Sequence, residues 1–279
     1  MTGENLGLLF PQWQGSGDNL SLYYGSQLIA KEFERVCKLE EVAVSLEKEL
    51  CVERNIRGYE TIIRQMVDTS GLLNERKPKK VLLVGGDCGT EPMPVSYLNK
   101  RYDGDLAVIW FDAHGDLNLP EESPSRHFHG MPLRHLLGEG DSLIIEACFS
   151  QLSPKQVVLA GGRDLDKAEV NFTEKHNIPV FSAEEAGKCN PLVELIKRIG
   201  FHNLYIHLDL DVLNPNCFPH VGLPATGGFN LGQLSDCLKA LAKSFNLAGY
   251  SILEFSPSKP DDIKELKPFI DFGLHFLAE

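Results

Sequence analysis

Little in this chain is basic. Lys and Arg total 27 against 39 Asp and Glu, a net charge of -12 over 279 residues. Nucleic-acid binding, which calls for a basic stripe, is disfavoured by that balance, and a cationic small molecule is mildly favoured. No apolar run approaches the roughly 20 residues that cross a bilayer, so no membrane span is expected. The opening Met1-Thr2-Gly3-Glu4-Asn5 lacks a basic segment ahead of an apolar one, so no signal peptide is expected either. The cysteines, Cys37, Cys51, Cys88, Cys148, Cys189, Cys217 and Cys237, are odd in number and scattered, and no two are spaced as C-x-x-C. Neither a disulfide framework nor a structural zinc knuckle follows. Repeats, low-complexity tracts and a dividing Pro/Gly/Ser linker are all missing. The length then suits one α/β domain spanning 1–279, in a reducing, cytoplasmic setting.

What is present is an alternation of apolar runs and helical spacings. Strands are predicted at 6–11, within 35–44, and at 81–84, 106–111, 156–160, 180–181, 203–208 and 247–253. Helices are predicted at 22–33, 53–74, from 131 to 137, and at 167–176, 191–199, 231–245 and within 261–276. Runs such as Val81-Leu82-Leu83-Val84 are apolar on both faces, as in a parallel sheet covered on both sides by helices. The fold class predicted is α/β, a parallel sheet with right-handed crossovers and helices on both faces.

The polar residues fall in one kind of place. Asp87-Cys88, Asp112-His114-Asp116, Asp164-Asp166, Asp209-Asp211 and Glu254 each follow a predicted strand. Open parallel sheets bind ligands at the carboxyl ends of their strands. A single strand-end Asp is commonly a cap, but acids gathered at one rim repel each other unless a cation sits among them. In Asp112-Ala113-His114-Gly115-Asp116, alternate residues of an extended segment share a face. Two carboxylates and an imidazole there make a hard, oxygen-rich set suited to Mn²⁺ or a similar divalent ion.

Gly85-Gly86-Asp87-Cys88, Asp112-Ala113-His114-Gly115-Asp116 and Leu208-Asp209-Leu210-Asp211 resemble, in order and spacing, the signature motifs of the arginase (ureohydrolase) superfamily. The likeness runs from about residue 80 to 257. It implies the three-layer arginase/deacetylase-like sandwich and a pair of divalent metal ions, of which Mn²⁺ is the family's usual one. Asp112 and Asp209 would bridge the ions, His114 and Asp211 would complete one site, and Asp116 with position 88 the other. The family has His after Gly-Gly-Asp; here it is Cys88, either a softer ligand that favours Zn²⁺ or Fe²⁺ at that site or a small buried residue. Asn118, Ser125 and His129 fall where arginases place α-carboxylate contacts and a catalytic histidine, and Asp166 where an acid lies near the α-amino group. Glu254 matches the glutamate facing the guanidinium, whereas His127 and Leu223 replace an Asn and a Thr. Relatives are often trimers or hexamers, which leaves a homo-oligomer open.

The function implied is hydrolysis of a guanidino group to urea and an amine, L-arginine to ornithine above all. A hydroxide shared by the ions would attack the guanidinium carbon held by Glu254. Asp116 would orient it, and His129 would pass a proton to the departing amine. Other readings of single residues are that Asn118 and Ser125 form turns, Asp166 caps a helix, and only one of His127, His129 and His135 takes part in chemistry. Competing functions are hydrolysis of another guanidino compound or related C–N bond, a metal-free Cys88 nucleophile, and a metal-poor, non-catalytic protein that keeps the fold.

Overall fold

A computed structural model describes residues 5–278. The chain runs through β1 (Leu6–Phe10), α1 (Ser21–Glu34), β2 (Glu40–Glu41), β3 (Val52–Glu53), β4 (Ile56–Arg57) and α2 (Tyr59–Arg76). Next come β5 (Val81–Gly85), α3 (Pro92–Arg101), β6 (Leu106–Phe111), α4 (Pro132–Leu136), α5 (Ser142–Ala147) and β7 (Val157–Ala160). The remainder is α6 (Lys167–His176), β8 (Val180–Phe181), α7 (Ala183–Ala186), α8 (Asn190–Ile199), β9 (Asn203–Leu208), α9 (Leu231–Ser244), β10 (Asn246–Ile252) and α10 (Lys267–Ala278).

Eight strands form one sheet in the order β2-β1-β5-β10-β9-β6-β7-β8, and every pairing within it is parallel. Alternation divides each central strand between two cores. Leu82 and Val84 of β5, with Ala107, Ile109 and Phe111 of β6, face the side covered by α1, α8, α9 and α10. Val81, Leu83, Leu106, Val108 and Trp110 face the side covered by α2, α3, α4 and α5. The expected α/β sandwich is therefore the observed one. Among the described residues no helix is long and apolar enough to cross a membrane.

Two local expectations fail for identifiable reasons. The helix predicted from residue 53 begins only at Tyr59, because β3 and β4 form an antiparallel hairpin across Arg54 and Asn55. Both turn residues have positive φ, 48° and 60°, as a tight two-residue hairpin requires. Ile56, counted in the helical spacing, belongs to that hairpin. Helix α3 has no counterpart among the predicted helices; its Pro92 and Pro94 both sit in the first turn, where no intrahelical N–H is lost.

Candidate metal centre

The central neighbours β5, β10, β9 and β6 each release the chain into a functional segment at the same rim of the sheet. Gly86 lets the segment after β5 pass against the first loop: a Cβ there would lie 1.7 Å from the Gln12 carbonyl oxygen. From this rim come Cys88, Glu254, Asp209 with Asp211, and Asp112 with His114 and Asp116. All but His114 are buried.

Three groups of potential ligands lie with their donor atoms within 4.8 Å of one another: Cys88, Asp112, Asp116 and His207; Cys88, Asp209 and Glu254; Asp112, His114 and Asp211. His114 Nδ1 is 2.9 Å from Asp211 Oδ2 and 3.4 Å from Asp112 Oδ1. The turns after the strands are held by the same carboxylates. Asp112 Oδ1 accepts from His114 N at 2.6 Å, Asp209 Oδ1 from Asp211 N at 2.7 Å, and Asp211 Oδ1 from Ala113 N at 2.9 Å. Asp211 Oδ2 is the oxygen that meets His114, and Asp112 Oδ2 accepts from Trp110 Nε1 at 3.2 Å. The Cys88 thiol donates to Asp209 Oδ2 at 3.2 Å, and Cys88 N donates to Glu254 Oε1 at 3.1 Å.

Asp116 and Glu254 both occupy the left-handed backbone region, with φ 52° and 62°. A residue with a Cβ pays for that conformation, and such strain concentrates at functional sites. Asp116 Oδ2 is also buried with no hydrogen-bond partner, a costly state for a carboxylate oxygen.

Electrostatics expose the same deficit of positive charge. Burial, followed by repulsion from neighbouring carboxylates, pushes Asp116 and Asp209 well above the usual range. Burial and Asp112 raise Asp211 to about 6, and burial and Glu254 raise Asp87 to about 8. Burial acts the same way on Asp112, but the neighbouring imidazoles of His114 and His207 outweigh it and hold that acid below its ordinary value. Cys88 is raised by burial and by the surrounding Asp209, Asp116, Glu254 and Asp112. A thiol so placed resists becoming a free thiolate, which argues against a metal-free nucleophile. Donor atoms of oxygen, nitrogen and sulfur, one of them orphaned, with acids short of cations, fit a divalent metal.

An open cleft of about 290 Å³ leads down to this cluster, lined by Cys88, His114, Asp116, Asn118, Ser125, His129, Asp166, Asp209, Asp211, Leu223 and Glu254 among others. Every residue proposed from the sequence as substrate-binding or catalytic thus reaches one cavity. His129 Nδ1 meets Glu254 Oε1 at 3.1 Å. Burial lowers the histidine's affinity for a proton, but the bond to Glu254 outweighs it and the net shift is upward. Asn118 donates to Asp166 Oδ2 at 3.0 Å while its own Oδ1 is buried without a partner. Asp166 stands at the N-cap of α6 as well, so its capping and cleft-lining roles coexist.

His135 is a core residue, accepting from Asp141 N at 2.9 Å through Nε2 and contacting Met131 O at 2.9 Å through Nδ1. His127 lies against Gly17. His129 is therefore the member of that trio that faces the centre.

The sequence reading passed over three residues. His207 and Glu91 are fully buried beside the cluster. Strand alternation gives the missed signal for His207, which shares a face with Asp209 two residues on. Arg163 donates to the carbonyls of Asp211 (2.7 Å), Ala225 (3.2 Å), Leu213 (3.4 Å), Gly161 (3.1 Å), Val212 (3.4 Å) and Thr226 (3.1 Å). It ties the segment carrying Asp209 and Asp211 to the end of β7. No local pattern announces it.

Comparison with known proteins agrees with this architecture. The model of the Arginase family matches residues 21–265. The arginase of Staphylococcus aureus (strain COL) is 35% identical over 226 residues, covering 77% of this chain and 74% of that protein. The crystal structure of Entamoeba histolytica arginase in complex with L-ornithine superposes with a TM-score of 0.86 at 22% identity, over 98% of this chain and 99% of that one. The Bacillus subtilis arginase structure gives a TM-score of 0.76, also at 22% identity, over 97% and 98%.

Proposed function

Since the chain belongs to the arginase family and is an arginase-like ureohydrolase, we propose that this cleft hydrolyses L-arginine to urea and ornithine. The observation that carries the reading is Asp112, whose carboxylate belongs both to the group with Cys88 and Asp116 and to the group with His114 and Asp211. A carboxylate common to two adjacent donor groups is what a pair of ions requires. Asp112, His114, Asp209 and Asp211, with Asp116 and Cys88, would hold two divalent metal ions. Mn²⁺ suits the oxygen-rich side, and Zn²⁺ or Fe²⁺ is compatible with the thiol side. Such ions, when bound, supply a water whose pKa is lowered towards neutrality.

The remaining work falls to the chain's own side chains. Glu254 is placed to accept N–H bonds from a planar guanidinium, and the charge on both partners strengthens them. Asp116, which lines the same cleft, can accept from the attacking water or from an N–H on the tetrahedral carbon. With Nδ1–H given to Glu254, His129 takes up and releases its proton at Nε2, towards the departing amine. At the mouth, the Ser125 hydroxyl suits an α-carboxylate. Asn118, on the same wall, would share the α-carboxylate, and Asp166 suits an α-ammonium. Seven cysteines, none in a disulfide, fit a reducing compartment such as the cytoplasm.

The test is urea release by the Mn²⁺-loaded and the chelated protein from L-arginine, agmatine and a guanidino acid lacking the α-amino group. Chelator-sensitive release with arginine preferred is expected. Preference for the acid lacking the amino group would remove the role given to Asp166. Metal at stoichiometry with no urea from any of them would sink the hydrolase reading.

A further inference from the structure

We infer that His207 is itself a metal ligand, reaching the centre from β9 through Nε2 alongside Cys88, Asp112 and Asp116. The inference rests on the metal-dependent reading above and adds a donor to it. His207 is fully buried and its ring stacks on Trp110, with centroids 3.5 Å apart and planes 8° from parallel. That stack and the β6–β9 register, which pairs Trp110 with His207, fix where the ring edge points.

One edge is fully engaged. Nδ1 lies 2.8 Å from Glu91 Oε1, and Glu91 also accepts from the hydroxyls of Tyr205 and Ser251. A buried glutamate so surrounded holds Nδ1 as the N–H donor. The Nε2 lone pair is then left for the other edge, an arrangement that recurs where carboxylates orient metal-binding histidines. The other edge lacks a well-made hydrogen bond. Nε2 is 3.5 Å from Asp112 Oδ2 and 3.8 Å from Cys88 Sγ. Those are poor hydrogen-bond distances. They are, however, near the separations of roughly 3.3–3.7 Å between ligand atoms around one tetrahedral ion with bonds of about 2.0–2.3 Å.

The independent observation is Asp116 Oδ2, buried, unpartnered and within the same group of donors. A cation bound by all four would satisfy it.

The experiment uses the full chain with ¹⁵N-labelled histidine, titrated with Zn²⁺ and followed by long-range ¹H–¹⁵N spectra. Two histidines, His114 and His207, should move to metal-bound shifts, and the second signal should be missing in His207→Gln. Elemental analysis of that variant should give one ion per chain in place of two, or affinity at one site weakened at least ten-fold. Glu91→Gln, a change in a positioning residue, should weaken the same site by roughly 10–100-fold and leave the His114 signal in place. Two bound Zn²⁺ with only one histidine shifted would overturn the role of His207 alone. No bound Zn²⁺ would overturn it together with the metal-dependent reading. A melting curve of each metal-free variant separates loss of a ligand from loss of the fold.

Discussion

Replacing Glu254 by glutamine should make the metal-free protein more stable while lowering the activity of the metal-loaded enzyme. Donor oxygens of Glu254 and Asp209 lie within 4.8 Å of each other. At an effective dielectric constant of about 20, two unit charges at that separation repel by ~3.5 kcal/mol. Glutamine abolishes that repulsion and keeps the shape. Part of the gain is lost, because the bond from His129 Nδ1 to Glu254 Oε1 becomes neutral, at ~1–2 kcal/mol. A net gain of ~1.5–2.5 kcal/mol is expected at pH 8 in chelator, or about 3–5 °C in Tm at roughly 2 °C per kcal/mol. The sign with pH is fixed by Asp209, whose folded pKa is raised. As pH falls through that raised value the acid takes up its proton, the repulsion vanishes, and the gain should disappear. Removing one charged partner of a guanidinium costs ~1.5–3 kcal/mol, so kcat/KM for urea release should fall at least ~10-fold in the metal-loaded enzyme. Thermal melts with and without chelator, from pH 8 downwards, are the assay. A variant less stable than its parent in chelator at pH 8 would show that the acids do not oppose one another as described.

Arg163→Lys should cost ~2–4 kcal/mol in urea unfolding, because an ammonium offers three donors to carbonyls now served by a planar fork; an effect under 1 kcal/mol would refute the staple. Asp141 caps α5, accepting from Leu143 N and Ile144 N as well as from Tyr59 and Arg54. Burial raises its pKa, but the Tyr59 and backbone bonds outweigh that and hold it low. Asp141→Ala should therefore cost ~1–2 kcal/mol at pH 7. The deficit is fully present above about pH 4 and should disappear as pH falls through the depressed folded value. His135 has its pKa lowered, chiefly by burial. The unfolded chain thus binds the extra proton first, and stability should fall as pH drops below about 6.5. A His135→Asn variant that loses stability between pH 7.5 and 5 as steeply as the parent would contradict this.

Much of the centre is legible in single segments. Asp112, His114 and Asp116 announce themselves because a strand exit projects alternate residues together. Asp209, Asp211 and Glu254 do so because each follows a mainly apolar run of strand length. The hairpin at 52–57 misled because its Ile56 falls on the helical spacing of α2; only the two positive-φ turn residues distinguish it. Helix α3 carries two prolines, which a helix tolerates only in its first turn, where these lie.

Which polar residues would stand at strand ends, and so the metal-binding chemistry, followed from the sequence itself, because hydrophobic periodicity is local. Tertiary structure decided what periodicity cannot carry. It set β5, β10, β9 and β6 side by side, though they are far apart along the chain. It turned His129 to the centre and His135 into the core, and brought Arg163 under the Asp209–Asp211 segment. It also laid His207 on Trp110 with Glu91 behind it. These are relations between strands and loops. Their energies come from burial and charge shared across the fold, and no segment read alone contains them.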